Sequence, residues 1–311
     1  MPHTSVMLNE VLQFMDPKDG EIYVDCTFGA GGYSSALLNA KNCKVYAIDR
    51  DPTVVKFADE LAQKTNNRLI FISGKFSEIE KLLLSKNIMN VNGIVLDLGV
   101  SSMQLDQGER GFSFMRDAHL DMRMDQEGID AYEVINHMEE QQLADIIYNY
   151  GEERHSRKIA RKIIQARQHK PIATTLELAE IIRSTLGAKQ GKIDSATRTF
   201  QAIRIYINDE LNELHKVLES AEKLLVEGGR LVVVSFHSLE DSIVKAFLRE
   251  RSNQPKNNIS RYIPAQIDSN STITTFSILT KQAIKPTLRE TSENSRARSA
   301  KLRAAKRVNV L

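Results

Sequence analysis

Three aspartates and a cluster of glycines are the first residues in this chain whose types and spacing suit ligand chemistry. Asp25 immediately precedes Thr27-Phe28-Gly29-Ala30-Gly31-Gly32, and Asp49 follows 24 residues after Asp25. Glycines let a backbone approach a ligand closely, and amides at the start of the next helix point their hydrogens at it. Asp49 ends the apolar run Lys44-Val45-Tyr46-Ala47-Ile48, where a carboxylate is placed to accept from both hydroxyls of a ribose. Asp97 ends a further apolar run, Gly93 to Leu96. An ordinary strand-to-helix turn would share the glycines but not the acid at the end of the next strand.

A glycine loop plus an acid serves NAD and S-adenosylmethionine alike. The dinucleotide pattern asks for a third glycine at position 34, where this chain has Ser34. That loss, with Asp25 just before the loop, suits S-adenosylmethionine better, because it has no pyrophosphate and offers a charged amino-acid end instead. On this reading Gly31, Gly32 and Tyr33 line that end and Asp49 holds the ribose. Phe76 and Asp97 then flank the adenine and the methyl-donor region. Each also has a plainer reading, Phe76 as core and Asp97 as a helix cap.

The elements that must position these residues alternate. Glu21 to Cys26 reads as a strand, Tyr33 to Leu38 as the opening of a helix, and Lys44 to Ile48 as a strand. Asp51-Pro52 reads as a helix start, and Leu69 to Ile72 and Gly93 to Val100 as strands. Such alternation predicts a parallel sheet with its ligand site along the carboxyl edge. Met1 to Phe14 reads as a short amphipathic segment beside the first strand. The rhythm breaks between Ser101 and about Leu211, where apolar residues recur at helical spacing, as in Leu143-Ala144-Asp145-Ile146-Ile147 and Ile159-Ala160-Arg161-Lys162-Ile163. Thr174 or Thr175 is a candidate cap there. A long helix from about Asp209 to Val226, the Gly228-Gly229 turn and a strand from Arg230 to His237 follow. A polar loop from Ser252 to Asn270 leads to a last strand, Ser271 to Thr280. The fold class is therefore α/β, Rossmann-like, with an inserted all-helical domain. Its expected parts are residues 1–104, an insertion at 105–211, and 212–311 with a basic tail.

Composition narrows the class. The chain has 311 residues, 41% hydrophobic and 26% charged, enough for two domains at roughly 150 residues each. No run approaches the roughly 18 apolar residues of a membrane span, and the first ten residues lack signal-peptide order, which points to the cytoplasm and away from membranes. Cys26 and Cys43 have no metal or disulfide spacing, and the seven histidines show no ligand pattern, so no metal is expected. Net charge is only +2, but Lys285 to Arg307 holds eight basic residues against two acids, and Arg154 to Lys170 is similarly basic. Local basic surfaces suit a polyanion, although a solvated helix face looks the same in sequence. On a helix through Arg154 to Arg167, Ile159, Ile163 and Ala166 share one side, which leaves Arg154, Lys158 and Arg161 as an outward stripe.

Many of these runs resemble one family. They are His3 to Leu8, Asp25 to Gly32, Ala47 to Pro52, Asp97 to Ser102 with Gln104-Leu105-Asp106, Glu109 to Met115, and Tyr150 to Arg154. Ala196 to Ala202, Ser235 to Asp241 and Arg296 to Arg303 complete the set. Together they are similar to the ribosomal RNA small-subunit methyltransferase H family over nearly the whole chain. The resemblance implies S-adenosylmethionine-dependent N4-methylation of a cytidine in 16S rRNA at the decoding centre of the small ribosomal subunit, with no DNA partner. It also implies cofactor contacts at Gly31, Gly32, Tyr33, Asp49, Phe76, Asp97 and Gln104. Tyr33, Ile193-Asp194-Ser195 and Ser295 depart from residues common in relatives, without removing a side chain the chemistry needs.

Cytosine N4 is a poor nucleophile because its lone pair is delocalised into the ring, so positioning must carry the catalysis. Related amino-methylating enzymes place acceptors after the fourth strand, which here makes Asp97, Ser101 and Ser102 the catalytic candidates. Phe112, Phe114, Phe236 and His237 are candidates for stacking on an extruded base, with core packing as the competing reading. Arg154, Lys158, Arg161, Arg296 and Arg298 are the RNA-binding candidates. An NAD-dependent oxidoreductase and a non-catalytic RNA-binding assembly factor are the alternatives. The first would bind NADH, and the second would be expected to have lost the glycines and Asp49.

Overall fold

A computed structural model describes residues 5–190, 193–252 and 274–309. The strands in chain order are β1 (Ile22–Asp25), β2 (Lys44–Asp49), β3 (Leu69–Ser73), β4 (Val91–Asp97), β5 (Lys189–Gln190), β6 (Ile193–Asp194), β7 (Leu225–Ser235), β8 (Phe276–Ile278) and β9 (Lys301–Arg307). Seven of them form one sheet in the order β3-β2-β1-β4-β7-β9-β8. From β3 to β7 all neighbours are parallel, whereas β9 runs antiparallel to both β7 and β8. The chain reverses strand order between β1 and β4, which opens a crevice at the carboxyl ends of those strands. This is the Rossmann-like arrangement expected from the alternating pattern.

The chain divides into two compact units, Met1–Gly99 with Glu213–Leu311, and Val100–Asn212. The first has the sheet as its frame. In β4 Ile94, Val95 and Leu96 are fully buried, as a central parallel strand covered on both faces requires. One core cluster joins Val24, Ile48, Ile94, Leu96, Leu231 and Val233 to helix residues Leu214, Leu218 and Val244. Cys26 is buried, as a small core residue should be. Helix Leu8–Met15 packs against helix Gly32–Ala40 and against β4, β7 and β9.

Among the described residues the regular elements of the second unit are helices and the short β5–β6 pair. Its core gathers Leu120, Ile135, Leu143, Ile147, Ile159, Ile163, Leu178, Ile182 and Phe200. Thr174 caps helix Thr175–Leu186 in a reciprocal capping box with Glu177. Gly151 allows a close crossing, because a Cβ there would stand 2.5 Å from the Arg198 carbonyl oxygen. Asn208 ties the loop at Met122 to Met124 to helix Thr197–Asn208, accepting from the Met124 amide at 2.8 Å and donating to the Met122 carbonyl at 2.8 Å.

Three expectations change. Part of the basic tail is structural, since Lys301–Arg307 is an internal strand of the sheet. The last expected strand contracts to Phe276–Ile278, with Ser271 to Ile273 outside the described residues, as is the loop from Asn253 to Asn270. The Gly228-Gly229 pair lies inside β7, where the pairing with β4 shifts register between Val91 and Gly93, so the helix before it ends at Leu224.

Candidate active site

The carboxyl ends of β1, β2 and β4 bring together most of the expected residues of the first unit. Gly31 closes the turn with φ +78°, in the left-handed region that favours glycine, and its amide donates to the Phe28 carbonyl at 2.7 Å. It stands at the N-cap of helix Gly32–Ala40 and caps no amide itself, while the third amide of the helix, that of Ser34, donates to the Asp25 carboxylate. Gly32 is glycine for a reason not read from the sequence: the place its Cβ would take is filled by the Ser5 hydroxyl.

Asp49 is oriented by two backbone amides, Gly29 N to Oδ2 at 2.8 Å and Asp51 N to Oδ1 at 2.9 Å. Each carboxylate oxygen keeps a second lone pair, so both remain able to accept from a ribose diol. Burial lifts the Asp49 pKa to about 6 against the pull of those amides, with smaller upward contributions from Asp51 and Asp25. Asp25 is buried and acts as a brace: Ser34 Oγ donates to it at 2.7 Å and the Thr27 amide at 3.2 Å. Ser34, where a dinucleotide loop would carry glycine, is thus part of the loop's support. Thr27 extends the brace to β4, its hydroxyl accepting from the Asp97 amide at 2.7 Å. Sequence reasoning missed Thr27; its position two residues past Asp25 was the available signal.

Asp97 is the unusual group. Its Oδ1 is buried with no hydrogen-bond partner among the described residues. Burial first, then the negative charges of Asp25 and Glu240, hold its carboxyl well above the usual range. A buried carboxyl oxygen without a donor among the described residues, with Asp25 and Glu240 as the charges acting on it, fits a ligand that brings positive charge or N–H groups.

The other predicted residues have more specific structural roles. Phe76 starts a 3-10 turn after β3 and packs, half-buried, against the sheet core. Tyr33 is buried, and its hydroxyl donates to the Val6 carbonyl at 2.5 Å, so its backbone rather than its ring is available to a ligand. Ser101, Ser102 and Gln104 belong to the helical unit. There Ser101 caps helix Ser102–Asp106, and Gln104 Oε1 accepts from the Ser101 amide at 3.0 Å. Phe112 is buried in that unit's core, and Phe114 packs edge-on against Phe200 beneath the Arg183 guanidinium. His237 caps helix Ser238–Glu250 with Glu240, which leaves Phe236, half-exposed, as the uncommitted aromatic of the four.

The basic candidates also sort themselves. Helix Ser156–Arg167 starts after Arg154, which is exposed in the preceding turn. Ile159 and Ile163 are buried as the spacing requires, but Lys158 Nζ donates to the Thr185 carbonyl at 2.9 Å and Arg161 lies 3.7 Å from Glu140. Arg296 and Arg298 are exposed on the short turn before β9. Arg303 and Lys301 instead grip Asp241 at 2.7 and 3.1 Å, and Arg307 donates to backbone carbonyls. Burial would raise the Asp241 pKa, but those two cations bring it below the ordinary range. Among the described residues no helix is long and apolar enough to cross a membrane.

Comparison with known proteins agrees with this arrangement. The model of the MraW methylase family matches residues 1–308. The chain is 52% identical over 310 residues to the ribosomal RNA small subunit methyltransferase H of Wolbachia sp. subsp. Drosophila simulans, covering 99% of this chain and 100% of the relative. It is equally 52% identical to the proteins of that name from Rickettsia conorii, over 98% of both chains, and from Maricaulis maris, over 98% of this chain and 90% of the relative. A solved rRNA methylase from Streptococcus thermophilus aligns with 97% of this chain and 94% of its own at 10% identity and a TM-score of 0.42, a likeness too distant to carry an argument. Family membership selects S-adenosylmethionine over NAD for the glycine loop. A match over both the sheet and the helical insertion leaves one conclusion: this chain is a member of the MraW methylase family, the ribosomal RNA small-subunit methyltransferases H, and is an S-adenosylmethionine-dependent methyltransferase.

Proposed function

We propose that this enzyme methylates the exocyclic N4 of a cytidine in 16S rRNA, at the decoding centre of the small ribosomal subunit. The observation that carries the reading is 52% identity to small-subunit methyltransferases H across both structural units. S-adenosylmethionine supplies an electrophilic methyl group on a sulfonium. The chain's own residues supply position. The Gly32 and Tyr33 amides after Gly31 would hold the anionic end of the cofactor, and Asp49, already aimed by Gly29 and Asp51, would hold the ribose. Asp97 Oδ1 accepts an N4–H hydrogen bond, which fixes the nitrogen for in-line attack as it pyramidalises. The N4 proton is lost after the methyl arrives, so no strong base is required. Ser101, as a helix cap, sets the start of the segment after β4, and Phe236 offers a stacking face for the extruded base.

Arg154, Arg161, Arg296 and Arg298 are proposed as phosphate contacts, with Lys158 secondary because it is tied to Thr185. The helical insertion is accordingly proposed as the substrate-recognition domain. Transfer of a tritiated methyl group onto isolated 30S particles, followed by nucleoside mapping, tests the assignment. Label in N4-methylcytidine is expected; label on a base carbon or a ribose oxygen overturns it.

A further inference from the structure

Residues 5–7 lie over the cofactor loop, held there from both sides. The Ser5 hydroxyl occupies the space beside Gly32 where a Cβ would stand. Tyr33, in the first turn of helix Gly32–Ala40, donates its hydroxyl to the Val6 carbonyl at 2.5 Å. From the far end of the chain Glu290, on helix Leu288–Glu293, accepts from the Met7 amide at 2.7 Å across 283 residues. Met7 itself is fully buried in the left-handed region with φ 52°, a conformation a non-glycine residue keeps only where its surroundings over-determine it. The geometry requires both ends: without Glu290 the Met7 amide loses its partner, and without the Tyr33 hydroxyl the Val6 carbonyl loses its link to the loop.

We propose that Tyr33 and Glu290 are positioning residues for the reaction, holding Ser5–Met7 as a strap that fixes the first turn after Gly31 and so the amides offered to the cofactor. The proposal rests on the cofactor reading of the glycine loop and is independent of which nucleotide is methylated. Glu290 is one of two acids in the basic run from Lys285 to Arg307, and this contact gives it a role that the charge pattern hides.

The test is calorimetric titration of S-adenosylhomocysteine into the full chain, with thermal melts in parallel. Tyr33→Phe keeps the ring and loses the hydroxyl; Glu290→Ala loses the acceptor; Glu290→Gln keeps an oxygen for the Met7 amide. Tyr33→Phe and Glu290→Ala are expected to weaken binding about five- to tenfold, while Glu290→Gln stays within about twofold of the parent. In turnover assays the KM for S-adenosylmethionine should rise in the first two variants and the KM for 30S particles should not. Unchanged affinity in Glu290→Ala, or Glu290→Gln as weak as Glu290→Ala, overturns the proposal. So does a lowered melting temperature with unaltered affinity, the signature of a purely structural contact. Because the titration contains no RNA, its outcome is independent of the N4 assignment.

Discussion

The acids at the carboxyl edge of the sheet and those of the helical unit stand in opposite electrostatic states. In the helical unit Asp121 and Asp194 would be raised by burial, but Arg123 and Arg183 outweigh it and hold both below the ordinary carboxylate range. Glu177 is lowered by Lys170, which donates to it at 2.7 Å, and by the amides of its capping box. At the carboxyl edge of the sheet Asp25, Asp49 and Asp97 are all raised, by burial first, and the acids around Asp49 and Asp97 raise them further. The sign of the linkage follows. Asp121 and Asp194 contribute stability above their unfolded pKa of about 4 and lose it as pH falls through their lowered values. Asp49 does the reverse: its contribution is complete below about 4 and is lost as pH rises through about 6. The helical unit uses these charges to hold itself together, while the carboxyl edge of the sheet keeps an arrangement that costs stability until a ligand supplies the missing positive charge and donors.

The largest expected effect lies at the buried carboxyl at the end of β4. Asp97→Ala should lower methyl transfer about 10²- to 10³-fold while leaving the melting temperature equal or higher, since a strained buried carboxyl is removed. A variant that unfolds instead would make Asp97 a structural residue. Next, Asp49 predicts that S-adenosylmethionine affinity weakens as pH drops through about 6, because the protonated carboxyl loses acceptors the ribose needs. Titrations at pH 5 and 7.5 measure this, and Asp49→Asn should be about tenfold weaker at pH 7.5 and nearly flat with pH. A wild-type affinity independent of pH would remove the ribose role.

In the helical unit, Arg183→Ala removes the paired contacts to Asp194, the shortest 2.8 Å, and the guanidinium over Phe114. It should cost about 1–2 kcal/mol in urea unfolding near neutral pH. The difference should vanish as pH falls through the lowered Asp194 value. The smallest effect concerns RNA. Arg154→Gln and Arg161→Gln should each reduce the slope of log K against log salt by roughly 0.7–0.9, whereas Lys158→Gln should change it little. Equal effects at all three positions would mean that Lys158 leaves Thr185 to meet RNA.

The parts of the molecule governed by local rules were legible. The first four strands, the glycine turn, the acid ending β2, the Asp51-Pro52 helix start and the Thr174 cap each follow from periodicity or capping chemistry within a few residues. What stayed hidden depends on partners far away in sequence. Lys301-Leu302-Arg303-Ala304-Ala305-Lys306-Arg307 has weak strand propensity and reads as a solvated basic run. It becomes a strand because β7 offers a pairing edge and Asp241 neutralises two of its cations. Ser5 against Gly32 and Glu290 on Met7 are likewise invisible to any local pattern. Of the aromatic candidates, Phe112 and Phe114 carried no local signal that would separate a core ring from a stacking ring.

Because β9 lies between β7 and β8, the sheet has a closing order imposed by synthesis. Every strand from β1 to β8 leaves the ribosome before the segment that separates the last two, so the outer edge of β7 waits unpaired until Lys301 to Arg307 emerges. An open apolar strand edge is a template for wrong partners. Removing everything from Lys301 onward would thus do more than shorten the chain. It would strand β8 with no neighbour, leave Asp241 without its two cations, and turn a finished enzyme into a permanently nascent one prone to aggregation.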